Sequence, residues 1–62
     1  MITKANEIMA EALWVEQNRG TGGSAFIAER IGDLAGKGDM RGVARWKAIA
    51  FAYDQLRAGN MQ

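Results

Sequence analysis

Apolar residues recur every three or four positions along three segments of the chain, a spacing that places them on one face of an α-helix. They are Ala5, Ile8, Met9, Ala12, Leu13 and Val15 in the first segment, Ile27, Ile31, Leu34 and Ala35 in the second, and Val43, Trp46, Ile49, Ala50, Tyr53 and Leu56 in the third. Alternation of apolar and polar residues, which is typical of strands, never continues for more than a few positions. The pattern therefore predicts an all-α protein.

The ends of these helices are predicted by glycines and by residues that favour helix starts, because the chain contains no proline. Candidate N-caps are Thr3, Ser24 and Asp39, and the helices are expected to stop at Gly20, Gly38 and Gly59. The predicted helices cover about residues 4–18, 25–37 and 40–58. The short connections indicate one domain over residues 1–62, either a small three-helix bundle or an open helical-hairpin arrangement.

The length and composition of the chain limit how it gains stability. A chain of 62 residues buries only about 60% of the surface that its unfolded form exposes. It contains no cysteine and no histidine, so a disulfide and the usual zinc ligands are both absent. Self-association is the remaining common source of added stability, and we expect a homo-oligomer, in the simplest case a homodimer.

Charge and hydropathy indicate where the protein works. The formal net charge of +1 creates no strong attraction to nucleic acid or to a membrane surface. No apolar run approaches the roughly 18 residues of a membrane span, and acidic residues interrupt the first segment where a signal peptide would be apolar. We expect a cytoplasmic protein without a membrane partner.

The stretch GTGGSA, residues 20–25, matches the glycine fingerprint of dinucleotide-binding loops. That fingerprint has meaning only where it follows a strand and opens a helix, since the glycines let a pyrophosphate approach the helix N-terminus at the edge of a sheet. Here a predicted helix precedes it. We interpret it as a flexible linker between two helices, with Ser24 as the cap of the second, and expect no cofactor and no small-molecule substrate.

The side chains give little support for catalysis. Without histidine or cysteine there is no imidazole base and no thiolate nucleophile, so we expect no enzyme and no catalytic residue. Glu7 and Glu11 are spaced as a metal pair would be, but the histidine partners of helical metal sites are missing, and a solvated acidic face is the better interpretation. Glu16 falls within the apolar arc of the first helix and is expected to pair with Arg19, with Arg30 or with a helix start.

Apolar side chains are left over once one core face is assigned to each helix. Trp14 lies opposite the middle of the first stripe, and Ala44, Ala48, Phe51 and Ala52 form a second apolar face on the third helix. Aromatic residues beside small ones are typical of helix-packing interfaces. Trp14, Ala44, Ala48 and Phe51 are therefore candidates for a protein interface, homotypic or not. The alternative is that Trp14 caps the core and Phe51 closes its end.

A basic cluster surrounds the second turn and supports a different function. It consists of Lys37, Arg41, Arg45 and Lys47. A helix-turn-helix protein presents such charges to the DNA backbone, so the alternative function is a small DNA- or RNA-binding regulator that uses these four residues. The neighbouring positions Ala44, Ala48 and Phe51 offer little that reads base edges, and we favour a protein partner over nucleic acid.

Much of the chain resembles a group of short helical proteins from alphaproteobacteria of the sphingomonad type, a domain of unknown function. The matching residues are Ala12, Val15 and Glu16, then Ile27, Ala28, Ile31 and Leu34, then Gly38, Asp39, Gly42, Val43, Ala44, Trp46, Ile49 and Ala50. The resemblance implies a compact helical fold and a bacterial, cytoplasmic origin. It implies no activity.

Overall fold

The computed structural model describes residues 4–59 of the chain and the side chains of residues 6–59. The described residues form three α-helices, α1 over Lys4–Arg19, α2 over Gly23–Gly36 and α3 over Met40–Arg57, with a 3-10 turn at Gly20–Gly22 between the first two. They contain no strand. The predicted all-α fold is confirmed, while the predicted cap Thr3 lies outside the described residues.

Helix α3 is the centre of the fold, since α1 and α2 each pack mainly against α3 and touch each other little. Glu11 and Glu16 of α1 pair with Arg45 and Arg57 of α3, so these two helices run in the same direction. Helix α2 runs the other way along α3. Its first residue, Gly23, lies against Tyr53 near the end of α3, and its Leu34 lies near Gly42 at the start of α3.

The core lies where α1 and α2 meet one side of α3. Its buried members are Ala12, Val15, Ile27, Val43, Trp46, Ile49, Ala52 and Tyr53. Ala52 therefore belongs to the core, and its assignment to the second apolar face of α3 is wrong. Leu13 departs from the predicted stripe of α1 in the opposite sense, because its side chain is 41% exposed.

The connection between α1 and α2 differs from the flexible linker that the sequence predicts. Gly20 ends α1 with a φ of +52°, in the left-handed region that glycine adopts readily, and the chain then makes the 3-10 turn. Helix α2 begins at Gly23, two residues before the predicted start, so Ser24 lies inside the helix and does not cap it. Two contacts with Tyr53 hold this turn: its hydroxyl donates a hydrogen bond to the carbonyl oxygen of Gly20, and its ring covers Gly23.

The connection between α2 and α3 follows the prediction. Gly38 has a φ of +75°, and the amides of Gly38 and Asp39 bond back to the carbonyls of Ala35 and Leu34 at 3.0 and 2.9 Å. These two bonds form a Schellman motif, which satisfies carbonyls that the helix itself leaves free. Asp39 then caps α3, because its carboxylate accepts a hydrogen bond from the amide of Gly42 at 3.0 Å.

An ion pair between α1 and α3 corrects the prediction for Glu16. Its carboxylate accepts a hydrogen bond from Arg57 at 3.1 Å, not from Arg19 or Arg30. The two partners are 41 positions apart in sequence, so only the parallel packing of α1 on α3 brings them together. Both side chains remain more than one third exposed, so the pair contributes at most about 1 kcal/mol.

Substitution of Gly23 tests the contact with Tyr53. In Gly23→Ala the new Cβ would lie 2.5 Å from two ring carbons of Tyr53, so the buried ring would have to shift. We expect a loss of about 1–3 kcal/mol in the free energy of unfolding, measured by urea denaturation. Gly22→Ala is the matched control, since nothing lies within 4 Å of its new Cβ. Equal stability of the two variants would contradict the role given to Tyr53.

Truncation of Trp46 tests which side of α3 forms the core. Trp46 is only 9% exposed, so Trp46→Ala is expected to cost about 3–5 kcal/mol, close to the whole stability of a small domain. Circular dichroism on heating should show an unfolded or barely folded protein. Phe51→Ala, on the other side of α3, should melt as the natural protein does under dilute conditions. A cooperatively folded Trp46→Ala protein would show that the faces are reversed.

Candidate protein interface

One side of α3 carries side chains that α1 and α2 leave exposed. We call it the outer face of α3, and it consists of the exposed residues Met40, Ala44, Lys47, Ala48, Phe51 and Asp54. Phe51 is 68% exposed and Met40 is 64% exposed, the two highest values among the large apolar side chains described. The spacing of four and seven residues from Met40 to Ala44 and from Ala44 to Phe51 places them along one line of the helix.

A groove borders the outer face on the side of α1. It has a volume of about 400 Å³ and is lined by Ile8, Arg41, Ala44, Arg45 and Ala48. The two alanines leave room where larger side chains would fill the space between the helices. Two of the interface candidates therefore lie side by side at an open, partly apolar depression, with Phe51 next to it along the helix.

Trp14 occupies a different surface. Its ring lies 6.0 Å from that of Phe26, which in turn meets the ring of Trp46 edge-on at 6.0 Å. The guanidinium of Arg19 lies 4.6 Å from the centre of the Phe26 ring, and that of Arg30 lies 5.4 Å from the centre of the Trp46 ring. Such cation–π contacts contribute about 0.5–1 kcal/mol at exposed sites. Trp14 thus extends an aromatic row out of the core while remaining 44% exposed.

The four interface candidates do not form one surface. A second groove, lined by Glu7, Ala10, Glu11, Trp14 and Arg45, adjoins the first, and Arg45 lines both. Arg45 also pairs with Glu11 at 3.6 Å, which holds its side chain between the two grooves. Ala44, Ala48 and Phe51 remain together on the outer face of α3, and Trp14 lies beyond Arg45.

The four residues of the predicted basic cluster lie in different settings. Lys37 directly follows α2, while Arg41 and Arg45 line the groove beside α1. Lys47 belongs to the outer face. Because residues two apart on a helix point in different directions, Lys47 and Arg45 do not face the same surface. Part of the positive charge of Arg45 is also offset by Glu11.

Two other kinds of feature are missing from the described residues. No group of three or more carboxylates among them is placed to hold a metal ion. None of the helices in this part of the chain combines the length and the hydrophobicity that crossing a membrane requires.

Two members of the outer face were missed by sequence reasoning. Met40 has no predicted role beyond the start of the third helix, although its distance of eleven residues from Phe51 places both on the same side. Asp54 received no role. Lys47 is predicted to belong to the basic cluster, whereas the structure places it between the apolar residues of the outer face.

The fold and this surface define a small all-α protein whose central helix is apolar on two sides. Residues 4–61 match the model of DUF6961, a family of unknown function, and the chain belongs to that family. No curated protein and no solved structure shows a significant match. The expected membership of a domain of unknown function is thus confirmed, and the alphaproteobacterial origin stays a prediction.

Proposed function

We propose that this protein is a small interaction module that associates with a second copy of itself through the outer face of α3. The observation that carries the proposal is the 68% exposure of Phe51 beside the exposed Ala44 and Ala48. An aromatic side chain next to small residues provides an anchor and the space to receive one.

The energetic reason lies in the size of the domain. Buried apolar surface contributes about 25 cal/mol per Å², and a short chain buries little apolar surface. This chain also has no disulfide that would add stability. Covering Met40 and Phe51 adds to the buried area without any change in the packing of Trp46 and Tyr53. A twofold contact is the simplest arrangement that covers this face, because the same patch serves both copies.

Nucleic-acid binding through Lys37, Arg41, Arg45 and Lys47 is the less favoured alternative. These residues do not share one surface, and Arg45 is paired with Glu11. The two functions respond differently to salt, since contacts with phosphates weaken steeply as salt rises and an apolar contact hardly does. A cytoplasmic location in a bacterium is part of the proposal and rests on the sequence alone.

Phe51→Glu tests the proposed interface. The natural protein is expected to form dimers at tens of micromolar in sedimentation equilibrium, and Phe51→Glu is expected to be monomeric, because the substitution places a charge in the centre of the contact. Its helix content in circular dichroism should not change, since the side chain is exposed within one copy. The melting temperature of the natural protein should rise with concentration, and that of the variant should not.

Trp14→Ala is the control for this experiment. Trp14 is also an exposed aromatic residue, but it lies outside the outer face of α3, so the variant should still dimerise. A natural protein that stays monomeric over the whole concentration range would contradict the proposal. Dimers of unchanged affinity in Phe51→Glu would place the contact elsewhere.

A further inference from the structure

The charges on the outer face of α3 indicate how two copies would be aligned. Lys47 lies four residues before Phe51 and Asp54 three residues after it, so all three lie along the same side of the helix. Lys47 and Asp54 are both exposed, and neither makes an ion pair with another described residue. An opposite charge thus stands about one turn to either side of the exposed aromatic ring.

We infer that two copies of this chain pair their α3 helices antiparallel about a twofold axis beside Phe51, with Lys47 of each copy opposite Asp54 of the other. This inference rests on the proposed self-association and specifies its geometry. In an antiparallel pair, residues that precede the axis on one helix lie level with residues that follow it on the other. An axis between Ala50 and Phe51 therefore brings Lys47 level with the second copy's Asp54, and does so twice.

The apolar residues fit the same register. The two Phe51 rings lie next to each other at the axis, where apolar burial is greatest. Ala48, one turn before Phe51, is small enough to leave space for the ring of the other copy. Offset aromatic pairs contribute about 0.5–1.5 kcal/mol beyond the area that they bury.

Charge disfavours the other simple arrangements. In a parallel pair each residue lies opposite its own counterpart, so Lys47 would face Lys47 and Asp54 would face Asp54. An antiparallel pair centred one turn earlier, between Lys47 and Ala48, would set Phe51 over Ala44 but bring the two Lys47 ammonium groups together. Like charges placed opposite each other destabilise an interface, whereas complementary ones fix its register.

Charge reversal tests the pairing. Lys47→Glu sets acidic side chains opposite Asp54, and Asp54→Lys sets basic side chains opposite Lys47, so each single variant should dimerise about tenfold more weakly than the natural protein at low salt. The double variant Lys47→Glu/Asp54→Lys should recover the natural affinity. An equimolar mixture of the two single variants should form heterodimers, because the pairs between unlike copies are then complementary. Sedimentation equilibrium measures the affinities, and native mass spectrometry measures the composition of the mixture.

Lys37→Glu is the control, since it changes the net charge as Lys47→Glu does but lies outside the outer face of α3. It should leave dimerisation unchanged. Dimers that Phe51→Glu abolishes but that neither charge reversal weakens would overturn the pairing and leave the proposed function intact. A dimer strengthened by Lys47→Gln would overturn it in favour of the earlier centre. A natural protein that is monomeric throughout would overturn the pairing together with the proposed function.

Discussion

The contact of Tyr53 with the turn between α1 and α2 holds the end of α1 and the start of α2 against α3. The hydroxyl of Tyr53 donates to the carbonyl of Gly20, which also accepts a hydrogen bond from the amide of Gly23 within the 3-10 turn. The ring occupies the space that a side chain at position 23 would need, so only glycine permits the approach. This one buried side chain fixes the turn against the last part of α3. Helix α1 leads into the turn and α2 leads out of it, and both pack against the same side of α3.

The outer face of α3 is a consequence of that arrangement. Two helices cover one half of α3, and the described chain contains no further helix for the other half. The sequence nevertheless places Met40, Ala44 and Phe51 there, where charged residues would be expected on a solvated surface. A helix that is apolar on two sides is stable when each side has a partner. The fold supplies the first partner, and the proposed dimer supplies the second, so stability and association are linked.

The sequence predicted the features that depend on neighbouring residues. Helical periodicity identified three helices, and local capping chemistry identified Gly38 and Asp39 at the second connection.

The predictions that depend on distant residues were wrong or missing. The prediction of Ser24 as a cap is wrong because α2 begins at Gly23, whose contact with Tyr53 joins residues far apart in the chain. The prediction that Glu16 pairs with Arg19 or Arg30 is wrong for the same reason, because its partner Arg57 comes from the end of α3. On α3 itself, periodicity placed Trp46 on the core side and Phe51 on a second face, and the structure confirms both, with Trp46 9% and Phe51 68% exposed. Whether Phe51 closes the end of the core could not be read from the sequence, because it depends on where α1 and α2 lie. The relation between Lys47 and Asp54 became visible only after Phe51 was placed between them on an exposed face.

The central claim is that α3 uses one side within the chain and the other side between chains. Nuclear magnetic resonance spectra recorded over a range of protein concentrations test it most directly, because each residue reports its own surroundings. The account predicts that the side-chain signals of Met40, Ala48 and Phe51 shift with concentration while those of Trp46 and Tyr53 stay constant. Spectra that do not change with concentration, or changes confined to Trp14 and its neighbours, would contradict it.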